Sequence, residues 1–171
     1  GQDDPVKLRA LDMKTGDVVA SMPVLDDLPD GYQVAVENSA IVYDDGEGTV
    51  STIVCNWFGA GNAGLADPDN DSSIQSYANI YDQNWLMKGN VMIAPGVKRV
   101  DTIKTADGYE MKSVWSRNDL RDTAIMKLST ATGYIYGYVQ DLDTGMWQYI
   151  ILDFATGETV FTMDVSNKYV Y

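Results

Sequence analysis

Two segments 141 residues apart in the chain can be laid over one another without a gap. They are ALDMKTGDVVASMPV (residues 10–24) and ILDFATGETVFTMDV (residues 151–165), which share Leu, Asp, Thr, Gly, Val, Met and Val, with Asp17 matching Glu158. Each copy reads strand, D-x-x-T-G turn, strand. The Asp carboxylate and the Thr hydroxyl hold backbone N–H groups of the turn, and the Gly supplies a positive φ. At roughly 40–50 residues per four-stranded propeller blade, the offset corresponds to about three blades.

The rest of the chain has the same character. Thr-Gly or Asp-Gly pairs end at Gly16, Gly108, Gly133, Gly145 and Gly157, the last three at 12-residue intervals. That is the spacing of short antiparallel strands joined by tight hairpins. Between the turns run YIYGYVQD, MWQYIILDF and ETVFTMDV, rich in β-branched and aromatic residues. Upstream, YQVAVENSAIVYD, TVSTIVCNW and YEMKSVWS read alike. The expected fold is all-β and β-propeller-like: about three to four blades of antiparallel strands in one domain over residues 1–171. A small, acidic loop is inserted at 58–73. After it, Ile74, Tyr77, Tyr81 and Trp85 recur at three- and four-residue steps, a pattern that a short helix or a strand satisfies equally well.

Composition narrows the function. Twenty-five acids against twelve bases give a net charge of −13, which repels phosphate backbones and argues against nucleic-acid binding. No apolar run reaches the roughly 20 residues that span a bilayer, so membrane insertion is not expected. With no histidine in the chain, Ser-His-Asp and Cys-His catalysis and every His-ligated metal are excluded. Cys55 is the only cysteine and reads as a small buried hydrophobe. The opening GQDDP, with neither initiator Met nor leader, is expected of a processed form. The acidic, His-free composition is read as that of a secreted protein, extracellular or periplasmic.

The D-x-x-T-G-[DE] hairpins are similar to the outer hairpins of quinoprotein (PQQ-type) propeller repeats. PGVKRVD, the W-S-x-N-D-L-R-x-TA run from Trp115, KLSTATGYIYGY and LDFATGETVF resemble the C-terminal part of secreted bacterial β-propellers of uncharacterised function, as does VENSAIV near Glu37. The resemblance implies a propeller whose motifs mark turns and strands. It departs where quinoprotein repeats place a Trp four residues after the turn Gly: Ala20 and Phe161 stand there. Nothing in the chain resembles a quinone-binding site, so no PQQ is expected. About three blades are too few for the six- to eight-bladed ring common in such proteins, which predicts an incomplete ring or fragment. Another chain, or a second copy, would then cover its open sheet edges.

Candidate sites are acidic. Asp67, Asp69 and Asp71 alternate in D-P-D-N-D-S-S, with Asp82 as a late oxygen donor, a pattern that suits calcium and equally a solvated acidic loop. Glu37 and Asn38, with Asn118, Asp119 and Asp122, stand where innermost propeller strands begin. In metal-dependent lactonase and esterase propellers such residues ring a channel calcium; read blandly, they cap turns and strands. Trp57, Trp85, Trp115 and Trp147 read as inter-blade core, or as platforms for sugars. Asp44, Asp45 and Glu47 read as hairpin-tip solvation, and Lys7, Arg9, Lys98, Arg99 and Lys104 as decoration of solvent faces. The functional expectation is a non-catalytic, secreted propeller segment serving binding or assembly. Its alternatives are a calcium-dependent hydrolase and a carbohydrate-binding module.

Overall fold

The computed structural model describes residues 6–25, 32–33, 39–55, 92–122, 125–141, 143–144 and 146–166. These residues contain no helix and form three antiparallel sheets and one short parallel pair, so the all-β expectation holds. Among the described residues, none of the sheets closes on itself. Asp67, Asp69, Asp71, Asp82, Glu37 and Asn38, as well as Trp57, Trp85 and the helix-or-strand segment, lie outside the described residues.

Strands β1 (Lys7–Leu11) and β2 (Val18–Pro23) form a hairpin. β3 (Tyr32–Gln33) pairs in parallel with β6 (Met92–Ile93). The central sheet is an antiparallel meander of β4 (Ile41–Asp44), β5 (Thr49–Cys55), β7 (Val97–Thr105) and β8 (Gly108–Arg117). The C-terminal sheet is a second meander. Its strands are β9 (Leu120–Asp122) and β10 (Lys127–Ser129), then β11 (Tyr134–Asp141), β12 (Trp147–Asp153) and β13 (Thr159–Ser166). β9 pairs with residues 139–141 of β11 and β10 with residues 134–136, so the two run in line along one edge.

Burial shows how the sheets stack. A half-solvated strand alternates, yet β5 is buried at five successive residues, from Ser51 to Cys55. Both of its faces are covered, and β-branched side chains suit such a strand. Ile53 and Cys55 join Val97 and Trp115 in a core shared with Leu120, Met126, Ile135, Val139, Ile150 and Leu152 of the C-terminal region. Val54, on the opposite face, packs with Val24, Leu25 and Ala94, and Leu8 of the hairpin leans on this second cluster. The central sheet is thus the middle layer, with the hairpin on one side and the C-terminal sheet on the other. At about 25 cal/mol per Å² of apolar area, each large side chain in these clusters contributes roughly 1.5–3 kcal/mol.

Candidate interaction surface

The two aligned segments build the same hairpin. Leu11 pairs with Val18 and Ala10 with Ala20, with a register shift between Ala10 and Leu11. Leu152 pairs with Thr159 and Ile151 with Phe161, with a shift between Ile151 and Leu152. Every further pair out to Lys7–Pro23 and Gln148–Asp164 corresponds. The turns correspond bond for bond. Asp12 Oδ1 accepts from the amides of Lys14 and Thr15, and Asp153 Oδ1 from those of Ala155 and Thr156. Thr15 Oγ1 accepts from the Asp17 amide and Thr156 Oγ1 from that of Glu158. Gly16 and Gly157 donate back to the carbonyls of Asp12 and Asp153. The turn after β11 repeats the device, with Asp141 Oδ1 accepting from the Asp143 and Thr144 amides. Fixed acceptance of amide hydrogens favours ionised carboxylate, and the Thr15 and Lys14 amides hold Asp12 below its usual range.

What differs is the cover. The 153–157 turn is docked by the central sheet. Arg99 donates through Nη1 to the Phe154 carbonyl at 2.9 Å, with its guanidinium 3.9 Å over the Phe154 ring. The same Arg99 is held by Asp101 through two bonds of 2.8 Å and by Ser51 Oγ. Trp115 Nε1 also donates to the Phe154 carbonyl, at 3.0 Å, and Arg117 Nη1 donates to the Gly157 carbonyl. Arg117 is in turn gripped by Asp119, whose carboxyl the pair holds below its ordinary value. The indole of Trp115 lies so close to Gly157 that a Cβ there would sit 2.6 Å from the ring. Among the described residues the Asp12–Gly16 turn has no such cover: around Gly16 nothing lies within 4 Å of the same point.

Among the described residues, two faces of opposite kind are left bare. On the hairpin β1–β2, Arg9 and Leu11 alternate outward, and Leu11 is 56% exposed where the aligned Leu152 is 0%. Met13 is 101% exposed where its counterpart Phe154 is packed against the core. On the C-terminal sheet, Tyr149, Phe161 and Met163 are 54%, 53% and 50% exposed, and Tyr136 stands beside them. Cross-strand pairing lines them into rows, Tyr136–Ile151–Phe161 and Tyr138–Tyr149–Met163. Tyr138 stacks on Trp147 at 5.6 Å and tilts toward Tyr149 at 5.3 Å. A shallow groove of about 370 Å³ runs between Ile125, Tyr136, Tyr149 and Phe161. A larger one, of about 550 Å³, lies between the hairpin (Leu8, Ala10, Val19) and the central sheet (Val50, Thr52, Met111), with exposed Leu11 and Met13 also bordering it.

Of the residues singled out in the sequence, Asp122 is fully buried and sits beside Cys55. Burial, then the Asp122 charge and its hydrogen bond, pushes the Cys55 thiol well above its ordinary value, which keeps it a thiol and unreactive. Asp119 is committed to Arg117, and Asn118 Oδ1 accepts from Ser116 Oγ. Asp44 and Asp45 cap their own turn, accepting from the amides of Gly46, Glu47 and Thr49, as expected of a hairpin tip. Trp115 and Trp147 are core. The solvent-face expectation fails for two cations. Lys98 is 1% exposed, with Nζ donating to the Pro23 carbonyl, and Arg99 is the clamp on Phe154. Strand alternation carries both inward because β7 is covered on its two faces. Among the described residues, no three Cys, Asp or Glu side chains gather as a metal-binding group, and no helix is long and apolar enough to cross a membrane. The exposed aromatic face was missed in the sequence, where Tyr136, Tyr149 and Phe161 were indistinguishable from core; only their place in the last layer leaves them bare. No protein-family model, curated protein or solved structure matches the chain.

Proposed function

We propose that the chain is a propeller-like segment of a secreted protein that works by binding or assembly through sheet faces, without catalysing a reaction. The observation that carries this reading is the aromatic face of the C-terminal sheet. Tyr136, Tyr149, Phe161 and Met163 form a contiguous apolar surface of the sort that marks interaction sites. The layered meanders support the propeller architecture, since hairpin, central sheet and C-terminal sheet follow one another in chain order as blades do. Several of the chemistry-bearing side chains that the structure does describe are engaged in holding the fold. Asp119 grips Arg117, Asp101 grips Arg99, and the Cys55 thiol is sealed.

The test is a double substitution, Tyr149→Lys with Phe161→Lys, followed by thermal unfolding with excess calcium and with chelator. A face kept for binding adds nothing to the isolated fold, so stability changes by no more than about 0.5 kcal/mol. A loss of several kcal/mol would assign the face to the core and remove the proposal. A melt of the unsubstituted chain raised by calcium would move the reading to the metal-dependent alternative.

A further inference from the structure

We propose that the two bare faces are partners: the aromatic face of the C-terminal sheet of one copy seats the β1–β2 hairpin of a second copy, head to tail. This rests on the binding-or-assembly reading and names the occupant. The argument is the correspondence of the two aligned hairpins. Each has two sides. One side of β1–β2, with Leu8 and Val24, packs on the central sheet, while the corresponding side of β12–β13, with Tyr149 and Val165, is open. The other side of β12–β13, with Ile150 and Leu152, packs on the central sheet, while the corresponding side of β1–β2, with Arg9 and Leu11, is open. Within the chain, then, each layer presents one side to the opposite side of the next. Among the described residues, the two surfaces left at the ends are one of each kind, and joining them makes a third contact of the same type.

The turn supports the same partner. The Asp12–Gly16 turn keeps the backbone that Arg99, Trp115 and Arg117 grip in its counterpart, and Gly16 keeps open the space that Trp115 fills at Gly157. Met13, fully exposed, stands where Phe154 is clasped. An interface between two different surfaces is heterologous. Two copies close it into a ring if their geometry permits; otherwise copies add on as a chain.

The test is sedimentation of the whole chain over a concentration series, with two variants, Met13→Lys on the hairpin and Phe161→Lys on the sheet. The parent chain is expected to associate, and each variant alone to lose association by at least tenfold. Mixing the two variants restores one intact interface and returns a heterodimer. Both altered side chains are exposed, so unchanged cooperative melts show that the variants fold. A second measurement places Met13→Cys on one copy and Tyr149→Cys on another; the mixed pair cross-links on oxidation and neither variant cross-links with itself. A parent chain that stays monomeric up to about 1 mM overturns the proposal. So does association that survives both substitutions. Either result leaves the stability test of the aromatic face intact, so the broader reading stands or falls separately.

Discussion

At the scale of single residues, Gly16 and Gly157 form a controlled comparison. Both are left-handed, at φ 77° and 74°, so an alanine at either bears the same backbone strain of about 1–2 kcal/mol. Only at Gly157 does the added methyl meet the Trp115 ring. Gly157→Ala is therefore expected to lose a further 1–3 kcal/mol or so from overpacking, while Gly16→Ala loses strain alone. Thermal denaturation of the two variants side by side measures the difference; equal losses would mean that Trp115 yields freely. Arg99 acts with Trp115, since both donate to the same Phe154 carbonyl, and Tyr43 meets the Phe154 ring edge-on at 5.8 Å. None of this clamp was legible in the sequence. Arg99 sits 55 positions from Phe154, and a cation in a β-rich run looks like any solvent-facing charge until the neighbouring layer is known.

At the scale of elements, the hairpins were legible because their determinants are local. An Asp, a Thr and a Gly within five residues specify a complete set of turn hydrogen bonds, and β-branched flanks supply the strands. Thus YIYGYVQD maps onto β11 residue for residue. The layering was not local. TVSTIVC shows no alternation because it is covered on both sides, and ETVFTMDV is just as apolar although every described side chain of β13 is exposed. Hydrophobicity alone does not separate a middle layer from an end layer. Cover should nonetheless govern local opening. The strands of β1–β2 and β12–β13 share one register, yet one hairpin leaves bare the side that the other buries. Amides of β1 are expected to exchange with solvent deuterium faster than those of β12, which is buried at Ile150 and Leu152 and paired on both edges, and amides of β5 slowest of all. Matching rates in β1 and β12 would show that tertiary cover contributes little to either.

At the scale of the whole molecule, a stack with dissimilar ends has a direction, as a filament or a ring segment does. The candidate acids illustrate how far composition reaches. It argued against phosphate-bearing partners through a charge of −13, and it pointed to oxygen-rich clusters. It did not say that Asp122 would lie sealed against a thiol while Asp119 gripped an arginine, because both outcomes depend on which layer closes over them. The larger groove, between hairpin and central sheet, shows the same dependence from the other side. Ala10 lines it, and the aligned position in β12 is Ile151, on a strand of identical register. The backbone there already accommodates a bulkier residue elsewhere in the chain. The void is a matter of side-chain volume, set by a methyl where three more carbons would fit. Ala10→Ile is expected to fill part of it and raise the melting temperature, by a gain of about 0.5–2 kcal/mol. The gap between two layers of this protein is thus a dial that one codon can turn, and any small molecule lodged there would compete with a side chain for the same space.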